Sequence, residues 1–356
     1  MKLDVLVATA LAFAVGSFAG ETMNPSVMEN LKFLGRWDHR ASGSCASAPN
    51  ALVSFNAVTK SVTFDLDGYS RWRFDADGKP LMYFQTSGRT KKKLGAAGDG
   101  KVHSYRLIKI IESNPGEVCV HDIALDPSGK FAPKPAPSNR RIEFIGDSFT
   151  VGFGDEGTNM DPPEMEFDKT DASKSYAFLL ADGYKADFQV NAVSGRGLVR
   201  NYANIAPGWN LSKLYDYTVA GSAATEANPA LWDLNKFHPQ VIVLFMGIND
   251  FQGDPPYADR RIFKIAYAKF MNKLREAHPG VKFLLLSTKI WPNDDLTPTI
   301  QEIYDEEIAQ GHRDLEFKVL QTENVGLLGH PDVRAQQEMA NIIRPIVGRL
   351  GGWLSR

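Results

Sequence analysis

Four short segments in fixed order hold the side chains of this chain that could open an ester: Gly146-Asp147-Ser148, Ser194-Gly195-Arg196-Gly197, Gly247-Ile248-Asn249-Asp250 and Gly329-His330-Pro331. Ser148 offers a hydroxyl, which is a weak nucleophile until a base within hydrogen-bond reach takes its proton. His330 is the candidate base, because imidazole titrates near neutrality and can accept that proton and then return it. Attack on a carbonyl builds negative charge on oxygen, and fixed donors aimed at that oxygen are usually the largest catalytic contribution. The backbone N–H groups of Ser148 and Gly195 and the side-chain amide of Asn249 are candidates for such an oxyanion hole. Each feature alone has an ordinary explanation: a helix cap for Gly-Asp-Ser, a turn glycine for Gly195, an Asx turn for Asn249. The set together points to acyl transfer through serine. Asp147 is read as holding the turn by hydrogen bonding rather than making bonds. The other six histidines, His39, His103, His121, His238, His278 and His312, are assigned to surface or packing roles.

For these segments to meet, elements distant in sequence must end on one rim. Ile142 to Ile145, Phe188 to Val193, Val241 to Met246, Phe283 to Ser287 and Leu315 to Leu320 read as buried strands. Between them, Ser173 to Gly183, Ile262 to Ala277, Thr299 to Ala309 and Val333 to Leu350 have the length and apolar spacing of helices. Strands alternating with helices predict a parallel α/β sheet, whose ligands gather beyond the carboxyl ends of the strands. The first three segments lie there, and His330 precedes the last helix. Residues 31–132 differ: runs such as Ser61 to Leu66 and Arg71 to Phe74, separated by Asp67-Gly68 and Asp77-Gly78, predict a β-sandwich of jelly-roll type. Pro133, Pro135 and Pro137 mark the junction, since proline lacks the donor that a helix interior or central strand requires. The second domain is expected over 139–356.

A formal net charge of −2 over 356 residues gives no basic face for a nucleic-acid partner. Arg89 to Lys93, the one charge run, is read as a solvated loop. Met1-Lys2, the apolar stretch Val5 to Val15 and the small residues Ser17 and Ala19 predict a signal peptide over 1–19, hence a secreted, extracellular protein. That stretch is too short to cross a bilayer, so no membrane partner is expected. Cys45 and Cys119 are the only cysteines. They either pair, stabilising by about 4 kcal/mol on the chain-entropy estimate, or stay as buried thiols, and no metal site is indicated.

The four blocks resemble those of the SGNH, or GDSL-type, hydrolase superfamily. Gly35-Arg36-Trp37, Arg140 to Ser148, Lys174-Ser175-Tyr176, Ser194 to Gly197 and Arg200-Asn201-Tyr202 are more narrowly similar to carbohydrate esterase family 2. The resemblance implies a jelly roll packed on a flavodoxin-like SGNH domain that removes acetyl groups from xylan or glucomannan without metal or cofactor. By position it implies Ser148 as nucleophile, His330 as base, and Ser148, Gly195 and Asn249 as oxyanion hole. One departure stands out: three residues before His330, where the superfamily carries Asp, this chain has Leu327. A Ser–His dyad is therefore expected, with a backbone carbonyl holding the imidazole. Asp332 is read as a helix cap, and Asp294, Asp295 or Glu323 could serve only through space. Trp291, Trp209 and Tyr202 are candidates for stacking on sugar rings. An acetylated polysaccharide or oligosaccharide is the expected partner of a monomeric protein. Acetyl transfer between sugars and glycan binding on a weakened esterase scaffold are the alternative readings.

Overall fold

Val62, Phe64 and Leu66 alternate with Ser61, Thr63 and Asp65, and in a computed structural model describing residues 25–354 the three apolar side chains are wholly buried. The predicted signal peptide lies outside the described residues. The first domain has eleven strands: β1 (Lys32–Leu34), β2 (Asp38–Arg40), β3 (Gly43–Ala46), β4 (Leu52–Val58), β5 (Ser61–Asp67), β6 (Ser70–Ala76), β7 (Lys79–Thr86), β8 (Thr90–Gly95), β9 (His103–Lys109), β10 (Val118–Leu125) and β11 (Lys130–Ala132). They form two antiparallel sheets, in the orders β1-β4-β9-β6-β7, with β11 also on β4, and β2-β3-β10-β5-β8. This is the jelly-roll sandwich. Its core is aromatic, with Phe64 edge-on to Phe74 at 5.3 Å and Phe74 stacked on Tyr105 at 5.6 Å.

Cys45 on β3 lies directly opposite Cys119 on β10, and the two form a disulfide across 74 residues. The Arg89 to Lys93 run is not a loop. Arg89, just before the edge strand β8, pairs with Asp65 at 2.6 Å, and within the strand Lys91 stands exposed. Lysines along an unpaired edge oppose the docking of another strand, which accounts for their clustering.

The second domain has one parallel sheet of β12 (Arg141–Gly146), β13 (Asp187–Ala192), β14 (Val241–Phe245), β15 (Lys282–Thr288) and β16 (Leu315–Leu320), in the order β13-β12-β14-β15-β16. Counted within the domain that order is 2-1-3-4-5, the flavodoxin-like arrangement, with its switch point between β12 and β14. Val241 to Phe245 are fully buried, as a central parallel strand covered on both faces must be. The helices that matter here are α1 (Ser148–Val151), α2 (Tyr176–Tyr184), α3 (Ile248–Phe251), α4 (Arg260–Ala277), α5 (Leu296–Ala309) and α6 (Val333–Leu350). Among the described residues no helix is long and apolar enough to cross a membrane.

The domains are joined by more than a linker. Lys32 on β1 pairs with Asp187 at 2.6 Å, and the Gly35 N–H donates to the Phe188 carbonyl at 3.1 Å. Arg36 then enters the second domain, where its guanidinium meets Glu143 on β12 at 3.3 Å, Gln189 at 3.3 Å and the Tyr215 carbonyl. Glu143 also accepts from Tyr215 Oη at 3.0 Å and Asn191 at 2.6 Å. A charge this deeply buried needs all these partners, which explains physically why a Gly-Arg pair opens the domain.

Candidate active site

Strand β12 delivers the candidate nucleophile, Ser148. After Gly146 the chain turns at once into the single-turn helix α1, with Asp147 as its cap accepting from the Phe149 N–H at 3.2 Å. The turn demands glycine at 146, because a Cβ there would lie 2.7 Å from the Phe245 carbonyl oxygen of the neighbouring strand. Ser148 is thereby fixed at the carboxyl end of the sheet, beside the switch point.

His330 Nε2 lies 2.9 Å from Ser148 Oγ, within reach for proton transfer. Its Nδ1–H donates to the Leu327 carbonyl at 3.0 Å. This assigns the tautomer: Nε2 is left as the acceptor for the serine proton. The carbonyl reaches the ring because the chain kinks through Leu328 and Gly329, with φ of 52° and 76°. A leucine in the left-handed region costs about 1 kcal/mol, and the kink aims the carbonyl back at the imidazole. Three of the four candidate acids are engaged elsewhere. Asp332 caps α6 by accepting from the Ala335 N–H, Asp294 accepts from the Thr297 N–H and Glu323 pairs with Arg334. Phe153 and Phe149 wall the ring at 4.5 and 5.5 Å. Burial pushes the imidazole down to about 4, with the backbone hydrogen bonds opposing in part, so the base is neutral across the physiological range.

The oxyanion candidates open on the same cavity of about 650 Å³ as Ser148 and His330. No acceptor among the described residues takes the backbone N–H of Ser148 or of Gly195, so both are free to donate. Gly195 has φ of 75°, and a Cβ there would press on Ile205 at 3.0 Å. Asn249, in α3 after β14, holds its amide between Asp147 Oδ2 at 3.2 Å and the Arg196 carbonyl at 3.1 Å. Asp147 is fully buried, and desolvation, reinforced by the nearby Asp250 and Glu112 carboxylates, pushes it up to about 8. A neutral acid competes weakly for the Asn249 amide.

Two supports were not read from the sequence. Asp250 accepts the three successive N–H groups of Leu198, Val199 and Arg200 at 2.8, 2.8 and 2.9 Å, clamping the loop that follows Gly195. Its position next to Asn249 was visible, but three backbone amides converging on one carboxylate have no side-chain signature. Glu112, in the turn between β9 and β10 of the first domain, accepts from Ser194 Oγ and from the Ser113 N–H at 3.1 Å. Nothing in the sequence links it to a residue 82 positions on. Of the aromatic candidates, Trp291 and Tyr202 line the cavity, with Trp291 78% exposed. Trp209 does not line it. Its ring packs near Tyr217 at 6.0 Å under Lys213 and against a small cluster of Val193, Leu214 and Ala223, so it is a packing anchor.

A serine–histidine pair with three donors at the switch point of a flavodoxin-like sheet defines a carboxylic ester hydrolase of the SGNH kind. The chain belongs to the GDSL-like lipase/acylhydrolase family, which matches residues 144–340. In its two-domain form it is similar to a family two carbohydrate esterase from Clostridium thermocellum solved with cellohexaose, at a TM-score of 0.82 and 28% identity over 91% of this chain and 100% of that one. It is 30% identical over 345 residues to the cellulase/esterase CelE of Acetivibrio thermocellus, covering 93% of this chain and 40% of that protein. The chain therefore spans only about two-fifths of that relative's length. It is 29% identical to an acetylxylan esterase / glucomannan deacetylase of Cellvibrio japonicus, over 82% of this chain and 81% of that protein.

Proposed function

We propose that the protein is a secreted esterase that removes O-acetyl groups from a plant cell-wall polysaccharide, xylan or glucomannan, through an acyl-enzyme. The observation that carries this is the Ser148–His330 contact of 2.9 Å with the imidazole held from behind by the Leu327 carbonyl. Ser148 Oγ attacks the acetyl carbonyl as its proton passes to His330 Nε2, and the Ser148, Gly195 and Asn249 donors take the charge that develops on oxygen. The tetrahedral intermediate then expels the sugar oxygen, which receives the proton from His330. Water, deprotonated by the same nitrogen, next attacks the acetyl group on Ser148 and releases acetate.

The acetyl-carbohydrate specificity is supported by the names of the relatives and by a wide cavity rimmed by Trp291 and Tyr202. Secretion is supported by the sequence of residues 1–19 and by the Cys45–Cys119 disulfide, a bond that persists in oxidising compartments.

The test is acetate release from acetylated xylan, acetylated glucomannan and a small aryl acetate. The wild type is expected to act on all three, and Ser148→Ala and His330→Ala to lose at least about 10⁴-fold in kcat. A wild type that binds these glycans but releases no acetate would replace hydrolysis by glycan binding.

A further inference from the structure

The turn between β9 and β10 of the first domain reaches the active-site loop of the second with three successive side chains. Ser113 Oγ donates to the Ala192 carbonyl at 3.0 Å, Asn114 Nδ2 reaches the Ser194 carbonyl at 3.4 Å, and Glu112 takes the Ser194 hydroxyl, with the Ser194 N–H a further 3.5 Å from its second oxygen. Glu112 is 2% exposed. Lys109, itself fully buried, donates from Nζ to the Ile111 carbonyl at 2.8 Å and to the Glu112 carbonyl, closing the turn from which the carboxylate projects.

We infer that Glu112 is a positioning residue for the oxyanion hole, held by the β-sandwich domain and acting through Ser194 on the Gly195 N–H. Three features carry this. A carboxylate is costly to bury, yet here it spends its acceptors on Ser194 and Ser113 rather than on a cation. Ser194 is the residue immediately before Gly195, whose left-handed φ leaves its N–H free. Asp250 clamps Leu198 to Arg200 on the other side of the same loop, so Glu112, together with Ser113 and Asn114, secures the end that Asp250 does not reach. The β-sandwich is thus part of the catalytic apparatus, although none of the four catalytic segments lies in it.

This inference rests on the serine-esterase reading, and its test separates the two. Steady-state kinetics on a small aryl acetate, with rates expressed per titratable Ser148, compare Glu112→Ala, Glu112→Gln, Ser194→Ala and the double variant Glu112→Ala/Ser194→Ala. Glu112→Ala is expected to lower kcat about 10- to 100-fold, somewhat less than deleting a donor outright, with KM within about twofold because ground-state contacts are intact. Glu112→Gln is expected to recover most of the rate, since its oxygen still accepts N–H donors and its amide can donate to Ser194 Oγ. Ser194→Ala is expected to resemble Glu112→Ala, and the double variant to add little, as for residues acting through one contact. Losses that multiply in the double variant, a kcat within twofold of wild type in Ser194→Ala, or a Gln variant no better than Ala would overturn the inference. The Ser194→Ala and Glu112→Gln results decide it even if Glu112→Ala does not fold. A wild type inactive on aryl acetate would overturn the esterase reading and this inference with it.

Discussion

Lowering the pH tests the proposed role of His330 as base directly. His330 has the Leu327 carbonyl rather than a carboxylate behind it, and two phenylalanines beside it, so protonation would leave a half-buried cation with only a dipole to meet it. Its displacement from the ordinary value of 6.5 down to about 4 corresponds to about 3 kcal/mol against the charged form. The base works only when neutral, so the lowered value extends activity toward acid. At pH 5 about nine-tenths of the sites keep a neutral imidazole, where an ordinary histidine would leave about 3 per cent. The measurement is kcat/KM for a small aryl acetate between pH 4 and 8, with acetate quantified directly and circular dichroism confirming the fold at each point. This ratio reports the free enzyme. An acid limb centred near 4 is expected, and one centred near 6.5 would refute the reasoning. The linkage to stability has the opposite sense. Between these two values the unfolded chain binds the proton that the folded chain refuses, so this residue makes stability fall as pH drops from about 6.5 to about 4.

Four further outcomes follow from particular contacts. Leu327→Asp restores the superfamily residue, but the Leu327 side chain is buried against Gly154 and Gly157; we expect a loss of about 3 kcal/mol or more from an unpartnered buried carboxyl, read by urea denaturation, and no gain in kcat per active site. Arg36→Ala strands Glu143 and is expected to cost about 3–5 kcal/mol, with part regained on adding Glu143→Gln; equal denaturation midpoints for the single and double variants would contradict this. Trp291→Ala should weaken kcat/KM on acetylated polysaccharide about fivefold, from a stacking contribution near 1 kcal/mol, and do less on an aryl acetate. Trp209→Ala should lower the melting temperature instead, and equal substrate effects of the two variants would count against their separation.

The architecture was legible because its signals are local. Alternation in β5, continuous apolar runs in β14 and β15, and the prolines after β11 each follow from the burial or hydrogen bonding of one segment. The residues later found around the cavity were legible as types at strand ends. Contacts set by backbone geometry were not legible. Leu327 marked a missing carboxylate, but only the positive φ of Leu328 shows where the replacement carbonyl points. Trp209 and Trp291 look alike in sequence, both in loops after strands, yet one packs inward and the other stands in solvent. Asp250 and Glu112 act through the main chain or across domains, where residue type carries no information about the partner. The run Arg89 to Lys93 misled because charge is as compatible with an exposed strand edge as with a loop.

The carbonyl-backed dyad has a chemical consequence beyond replacing one hydrogen bond. A carboxylate would raise the proton affinity of the imidazole, making it a better base for Ser148 and a weaker acid toward the departing alcohol. With only a dipole behind it, His330 is a poorer base and, once protonated, a stronger acid. The second property suits a substrate whose leaving group is a sugar hydroxyl, because an alkoxide of that kind cannot leave unprotonated. The first places a heavier demand on the oxyanion hole, since less of the cost of attack is offset at the base. That demand fits the investment in holding the loop around Gly195: Asp250 on three amides at one side, Glu112 from the other domain at the opposite side, and a neutral Asp147 that leaves the Asn249 amide available to the substrate. The missing acid at position 327 and the buried acids behind the oxyanion loop are, on this account, two parts of one electrostatic arrangement.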